Sequence, residues 1–344
     1  LIERGRGKNL SKRYRNSIFE AQSKIFLNAT QHLIRGQRDL AIKEFMNAMV
    51  LNRETIETYF ALGGLFRSNG QIEKAISIHR ALIARDDINE STRLYALKEL
   101  AMDFDRGGLL DRAIETYKDV LKINRDQDEV IQSLCRIYED TEDWDQAYNY
   151  RIMLSKVGHE NQSETISHIL VEKAKMNFQK GKYKQCSEDL DDAFRFAPSV
   201  SAKILRLKLY LMQGKIEDAN SLLLEVLKEH PMYTSFIFVS LDEFGNEQDR
   251  ETYFKRLGEL KLFFLELKDK QLSESPSIVL SQIRLLKEHQ RNDQAFTLLT
   301  SWIDNNSDQS DVLKIEFIKL LIETDQKDKA LSETSKLLGT LHNS

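Results

Sequence analysis

The chain has 344 residues, more than the roughly 250 to 300 beyond which a single core stops growing, so it forms several domains or an extended repeat array. Its 50 lysines and arginines against 54 acids leave a net charge of −4, which excludes a general nucleic-acid binder that displaces counterions with a basic stripe. Three prolines and 14 glycines are few helix breakers for this length, and 30% charged residues suit amphipathic helices, so the expected class is all-α.

In chain order, residues 1–20 read as a basic juxtamembrane-like segment. Arg4, Arg6, Lys8, Lys12, Arg13 and Arg15 stand against one acid, Glu3. A flank of this kind follows a transmembrane helix on its cytoplasmic side, so a membrane anchor is expected ahead of Leu1. Residues 21–157 read as an N-terminal array of about four helical hairpins. The first carries Ala29, Gly36, Ala41, Phe45 and Ala48. The second, Tyr59 to Leu82, shows Tyr59, Leu62, Leu65 and Phe66 at helical spacing, a break at Ser68-Asn69-Gly70, and the period again at Ile72, Ala75, Ile76 and His79. Gly63 and Ala75 are expected where its two helices cross, because larger side chains would hold the backbones apart. Gly36 and Ala41 lie 34 residues before Gly70 and Ala75.

The third hairpin carries Leu100, Ala101, Phe104, Gly108, Ala113 and Tyr117. Ala113 falls 38 residues after Ala75, which places a four-residue insertion around Asp86 to Ser91, in the connecting turn. The fourth carries Leu134, Cys135, Tyr138, Ala147 and Leu154, with Asp143 in the place of the turn glycine. A polar stretch, Gly158 to Ser163, separates these from residues 158–344, a C-terminal array. Gly181, Cys186, Ala193 and Pro198 mark a fifth repeat, and Gly214, Ala219 and Pro231 a sixth. The pattern degrades from Met232 to Leu272, where Gly245 and Phe254 stand near the positions of a seventh. Ala295 and Ala330 mark two further hairpins without the turn glycine.

Small residue, aromatic, turn glycine, small residue and aromatic at a period of 34 resemble the tetratricopeptide repeat. The expected architecture is a superhelical solenoid of antiparallel helix pairs, with stability spread as nearest-neighbour terms and the first helices lining a concave groove. In that register the groove presents Phe60, Arg67, Lys98, Met102, Gln132, Arg136, Val171, Lys175 and Phe178. Gly63, Ala75, Ala113, Ala147 and Ala219 are the repeat-packing positions. A clamp for a chaperone's C-terminal carboxylate needs lysines and asparagines on the first helices. The corresponding places hold Phe60 and Gly64, Lys98 and Met102, and Gln132 and Arg136, so the groove suits a partner with apolar anchors and some acidic character.

No catalytic, metal-binding or cofactor-binding residues are assigned. The seven histidines show no metal-ligand spacing. His79 is expected in the core, bonded to backbone or water. Gly63-Gly64 is expected to serve close packing. Cys135 and Cys186 are expected as buried free thiols. The acidic runs Glu139 to Asp145 and Glu188 to Asp192 read as a solvated turn and an exposed helix face. The apolar runs Ser235 to Leu241 and Leu262 to Leu267 are far short of the ~20 residues that span a bilayer.

A closer resemblance rests on local text. Leu62-Gly63-Gly64-Leu65-Phe66-Arg67-Ser68-Asn69-Gly70, then Ala75-Ile76-Ser77-Ile78-His79-Arg80, looks like the second repeat of the lipopolysaccharide assembly protein B (LapB) family. So do Tyr95 to Gly108 and Leu110-Asp111-Arg112-Ala113, and more weakly Trp144 to Ala147 and the region near Gly245. The resemblance implies a non-catalytic adaptor on the cytoplasmic face of a bacterial inner membrane that presents the deacetylase LpxC to the membrane protease FtsH. It also implies an N-terminal membrane helix and a C-terminal rubredoxin-like zinc module with two CxxC pairs. Neither is present between Leu1 and Ser344, and Cys135 and Cys186 do not replace four paired ligands. Two alternatives stay open: a scaffold for a cell-polarity or motility complex built around a small GTPase, and an enzyme or metal protein whose active module lies beyond this sequence.

Overall fold

A computed structural model describes residues 24–51, 56–157, 161–244, 249–267, 270–306 and 310–342. The basic stretch Arg4 to Arg15, Gly158 and Gly245 lie outside the described residues. Every regular element among those described is helical, and the helices run as tetratricopeptide-type antiparallel pairs. They fall into two compact units, Leu1–Gln162 and Ser163–Ser344.

In the first unit α1 (24–34) is followed by α2 (Arg38–Leu51), α3 (Ile56–Ser68) pairs with α4 (Ile72–Ile83), α5 (Glu90–Arg106) with α6 (Leu110–Ile123), and α7 (Asp128–Asp140) with α8 (Trp144–Val157). In the second unit α9 (Ser163–Gln179) pairs with α10 (Tyr183–Phe196), and α11 (Val200–Gln213) with α12 (Ile216–Glu229). A 3-10 turn (Pro231–Tyr233) leads into the short α13 (Thr234–Asp242), followed by α14 (Arg250–Leu265) and α15 (Lys270–Ser273). The pairs α16 (Pro276–Glu288) with α17 (Asn292–Asn305) and α18 (Asp311–Glu323) with α19 (Lys327–His342) complete it.

One turn geometry joins nearly all the pairs. The backbone N–H of Gln71 donates to the carbonyl of Phe66 at 2.8 Å, five residues back, and Gly70 between them adopts φ +75°. That is the Schellman closure of a helix end. It recurs at Gly36, Gly108, Gly181 and Gly214, and also at Glu142, Gln290 and Asp325, whose φ values are +56°, +57° and +58°. The expectation for Asp143 is therefore corrected by one residue. Glu142 takes the left-handed position, while Asp143 accepts the N–H of Gln146 at 3.2 Å at the start of α8. Five residues after each left-handed residue stands a small buried side chain: Ala41, Ala75, Ala113, Ala147, Cys186, Ala219, Ala295 and Ala330.

The insertion in the third hairpin is also placed differently. It lengthens the first helix, α5 having 17 residues against 13 in α3. The added turn is held because Asn89 caps it by accepting the Thr92 N–H at 2.8 Å. Arg93 within it donates to the carbonyls of Ile83 and Arg85 at 2.7 and 2.8 Å, tying it to the end of α4.

Between α13 and α14 the Schellman turn is absent among the described residues, and a full ring takes the packing role. Tyr253 is completely buried, stacks on Phe244 at 4.1 Å and donates its hydroxyl to the Leu241 carbonyl at 2.8 Å. Burial pushes this phenol well above its ordinary pKa. Phe254, the sequence marker of this repeat, is only partly buried and packs edge-on to Tyr253.

Candidate partner-binding grooves

The first helices of the second and third hairpins are joined by a buried polar cluster. His79 Nδ1 on α4 donates to Asp103 Oδ2 on α5 at 2.5 Å, and both side chains are 0% exposed. Arg67 on α3 donates to Asp103 Oδ1 at 2.9 Å and to Glu99 Oε2 at 2.7 Å. His79 therefore is a core residue whose partner is a carboxylate of the next hairpin, not backbone or water. Its Nε2 has no hydrogen-bond partner and faces Gly63, where a Cβ would overlap the ring. Gly63 is explained by that contact. Gly64 is not a packing glycine: a Cβ there would meet nothing within 4 Å, and nothing in the structure explains it.

Arg67 keeps only 18% of its side chain exposed and its guanidinium is spent on α5. Phe60, half-buried two turns earlier on the same face of α3, packs edge-on against Tyr95 at 4.7 Å. Further along the same unit, Lys98 and Met102 on α5 and Gln132 and Arg136 on α7 line one cavity of about 480 Å³. The helical spacing of four places each pair on one face, and the 34-residue period brings the two faces together. Lys98 is ion-paired with Glu129, and Arg136 with Asp105 and, at 3.1 Å, with Asp140. Tyr117 from α6 also lines the cavity. Its hydroxyl is buried beside Ser133, and burial raises its pKa to about 12.

In the second unit the first helices α9, α11 and α13 line a larger cavity of about 690 Å³. Lys175 and Phe178 lie on it, but Phe178 is nearly buried, held edge-on by Phe244 at 5.9 Å. Val171 is 1% exposed and belongs to the core, so it is not presented to a partner. Lys208, Phe236, Val239 and Phe244 share this wall. They are absent from the residues read from sequence, although Met232, Phe236 and Val239 follow a helical spacing of four and three. The run Ser235 to Leu241 had signalled only that it was too short for a bilayer.

The remaining candidates are neutralised in place. Burial raises both the Cys135 and the Cys186 thiol to about 12, leaving almost no thiolate at neutral pH for nucleophilic attack. The acidic runs are paired off: Glu139 with Arg151 at 2.7 Å, Asp140 with Arg136, Asp189 with Asn177 at 2.7 Å and Asp191 with Arg206. Among the described residues no group of three or more His, Cys, Asp or Glu is placed to hold a metal, and no helix is long and apolar enough to cross a membrane.

No protein-family model matches the chain. Over 215 residues, 60% of the chain, it is 26% identical to lipopolysaccharide assembly protein B of Escherichia coli K12, covering 54% of that protein. Over 269 residues it is 25% identical to the protein of the same name from Haemophilus influenzae Rd, covering 74% of this chain and 67% of that protein. The chain is similar to lipopolysaccharide assembly protein B. The match spans about half the length of the Escherichia coli assembly protein B and two thirds of the Haemophilus one. Among solved structures, one described as the functional characterisation of Pseudomonas aeruginosa pilF is 16% identical, covers 62% of this chain and 94% of its own, and superposes with a TM-score of 0.35.

Proposed function

We propose that the protein is a non-catalytic scaffold that binds protein partners along its first-helix faces. The observation that carries this is the cavity between α5 and α7, where Lys98, Met102, Gln132 and Arg136 converge from successive repeats. A repeat surface of this kind offers apolar anchors with charges at its rim and no reactive group. Phe60 adds to the first unit's contact set, and Lys175 belongs to the separate cavity of the second. Arg67 and Val171 act from behind these faces by holding the helices, while Phe178 lines the second unit's cavity.

The similarity to lipopolysaccharide assembly protein B supports a role in regulating lipopolysaccharide synthesis. In that role the scaffold presents LpxC to FtsH, and the basic segment Arg4 to Arg15 lies against the cytoplasmic face of the inner membrane. The test is co-purification of the intact protein, extracted from the membranes of its own host, with mass spectrometry of what stays bound. Recovery of an FtsH-type protease or LpxC, lost on Met102→Asp, is the expected result. Recovery of a small GTPase with neither of them overturns the lipopolysaccharide role and leaves the scaffold.

A further inference from the structure

We propose that the groove lined by α9, α11 and α13 binds an acidic, apolar segment of a partner protein, with a side-chain carboxylate between Lys175 and Lys208 and a large apolar side chain against Phe236 and Val239. This rests on the scaffold reading and assigns to the second unit a ligand chemistry of its own.

The apolar half is a stripe. Met232, Phe236 and Val239 project from the 3-10 turn and α13 with 72%, 53% and 59% exposure, in a molecule whose other rings are largely packed away. Phe236 and Val239 line the groove together with Phe178 and Phe244. Exposed apolar residues grouped at helical spacing beside a cavity mark an interaction surface, which scattered ones do not.

The charged half is a lysine short of counter-charge. The Lys208 ammonium donates to the main-chain carbonyl of Glu243 at 2.8 Å. Lys175 is held by Glu172 at 2.6 Å. Burial lowers the pKa of Lys208 and outweighs the Glu243 carboxylate on the same wall, which raises it; Lys175 adds a smaller lowering. An incoming carboxylate supplies what this site lacks. The cavity of the first unit differs, since both its cations, Lys98 and Arg136, hold acids, whereas here Lys175 does and Lys208 meets a carbonyl. The stripe from Met232 to Val239 runs ~10 Å along its helical axis and continues past the groove lining. The occupant is accordingly a segment that passes through, and its acid is a side chain and not a chain end.

Two random peptide libraries, one displayed with both peptide ends fused and one with a free C-terminus, are panned against the full chain. The fused library should yield sequences with Asp or Glu within four positions of Phe, Leu, Met or Trp. Their affinity should fall about tenfold on Lys208→Gln or on Phe236→Ser, weaken with added salt, and stay unchanged on Arg136→Gln. Lys208→Gln retains a donor for the Glu243 carbonyl, and Phe236 is half in solvent, so both variants should melt with the parent. Enrichment only with a free C-terminus, acid-free sequences, no enrichment, or equal binding to Lys208→Gln overturns the proposal. Peptides lost on Arg136→Gln but kept on Lys208→Gln overturn it while leaving the scaffold reading standing. Peptides indifferent to all three substitutions overturn both.

Discussion

The faces of α3, α5 and α7 in the first unit and the groove of α9, α11 and α13 in the second use charge differently. In the first unit each of these cations reaches a neighbouring repeat: Arg67 forward to Glu99 and Asp103, Lys98 forward to Glu129, and Arg136 back to Asp105. In the second, across α9, α11 and α13, aromatic rings line the groove and Lys208 finds a carbonyl. Ion pairs at a surface contribute little, but the Asp103 carboxylate is fully buried, where losing a partner is expensive. A charge change at Arg67 or Asp103 is therefore read as stacking energy, and one at Lys208 as partner affinity.

Each unit carries one cysteine, which lets the comparison be broken by labelling. With both thiols near 12 against about 8.5 for a free thiol, the native thiolate fraction at pH 8 is lower by a factor on the order of a thousand. Thiol labelling should be slowed at least that much until the surrounding unit opens. The raised native value also fixes the sign with pH. Each thiol's contribution is fully present below the ordinary thiol pKa and is lost as pH rises from there towards about 12. Rapid labelling of Cys135 in folded protein would place it at the surface and break the register. Next in size, Asp103→Ala strips partners from both Arg67 and His79 and should cost about 3–5 kcal/mol in denaturant unfolding followed by Cys135 labelling. Asp103→Asn should cost less, because the amide oxygen still accepts one of the two donors.

Smaller effects separate neighbouring residues of one helix. Gly63→Ala drives a Cβ into His79 and should cost about 1–3 kcal/mol, as should Ala75→Leu, whose site is fully buried. Gly64→Ala meets open space and should stabilise α3 by about 0.5–1 kcal/mol. Opposite signs at adjacent positions in a thermal melt are the decisive outcome. A loss at both would mean that α3 is rotated about its axis from the placement described.

The helical hairpins and their 34-residue period were legible because small residues and turn glycines carry a backbone requirement that shows as residue type. The left-handed place of Glu142 was legible too, 34 residues after Gly108 and five before Ala147, but neither Glu142 nor Asp143 announces a positive φ by residue type, and the expectation fell on Asp143 instead. The extra turn of α5 was misplaced because a polar stretch such as Asp86 to Ser91 reads as a turn, whereas Arg93 anchors it as helix to the end of α4. In the grooves, Lys98, Met102, Gln132 and Arg136 came from the period alone. Sequence periodicity places a residue on a face but does not say whether its charge is already spent, which is why Arg67 looked available. Lys208 was invisible for the complementary reason: its setting depends on burial and on the Glu243 carbonyl, 35 residues away in sequence and near only in the fold.

The least disruptive test of the register is at the three left-handed positions without glycine. A residue with a Cβ is penalised there by roughly 1–2 kcal/mol, and glycine returns part of that as lost chain entropy. Glu142→Gly and Gln290→Gly should each raise stability by about 0.5–1 kcal/mol in a thermal melt. Asp325→Gly should gain less, because a short polar side chain tolerates this conformation by bonding locally. The Asp143→Gly variant is the control: Asp143 caps α8 through the Gln146 N–H, so removing it should destabilise by a few tenths of a kcal/mol. If Asp143→Gly stabilised and Glu142→Gly did not, the fourth turn would sit one residue later, at the position the sequence reading had assigned to Asp143.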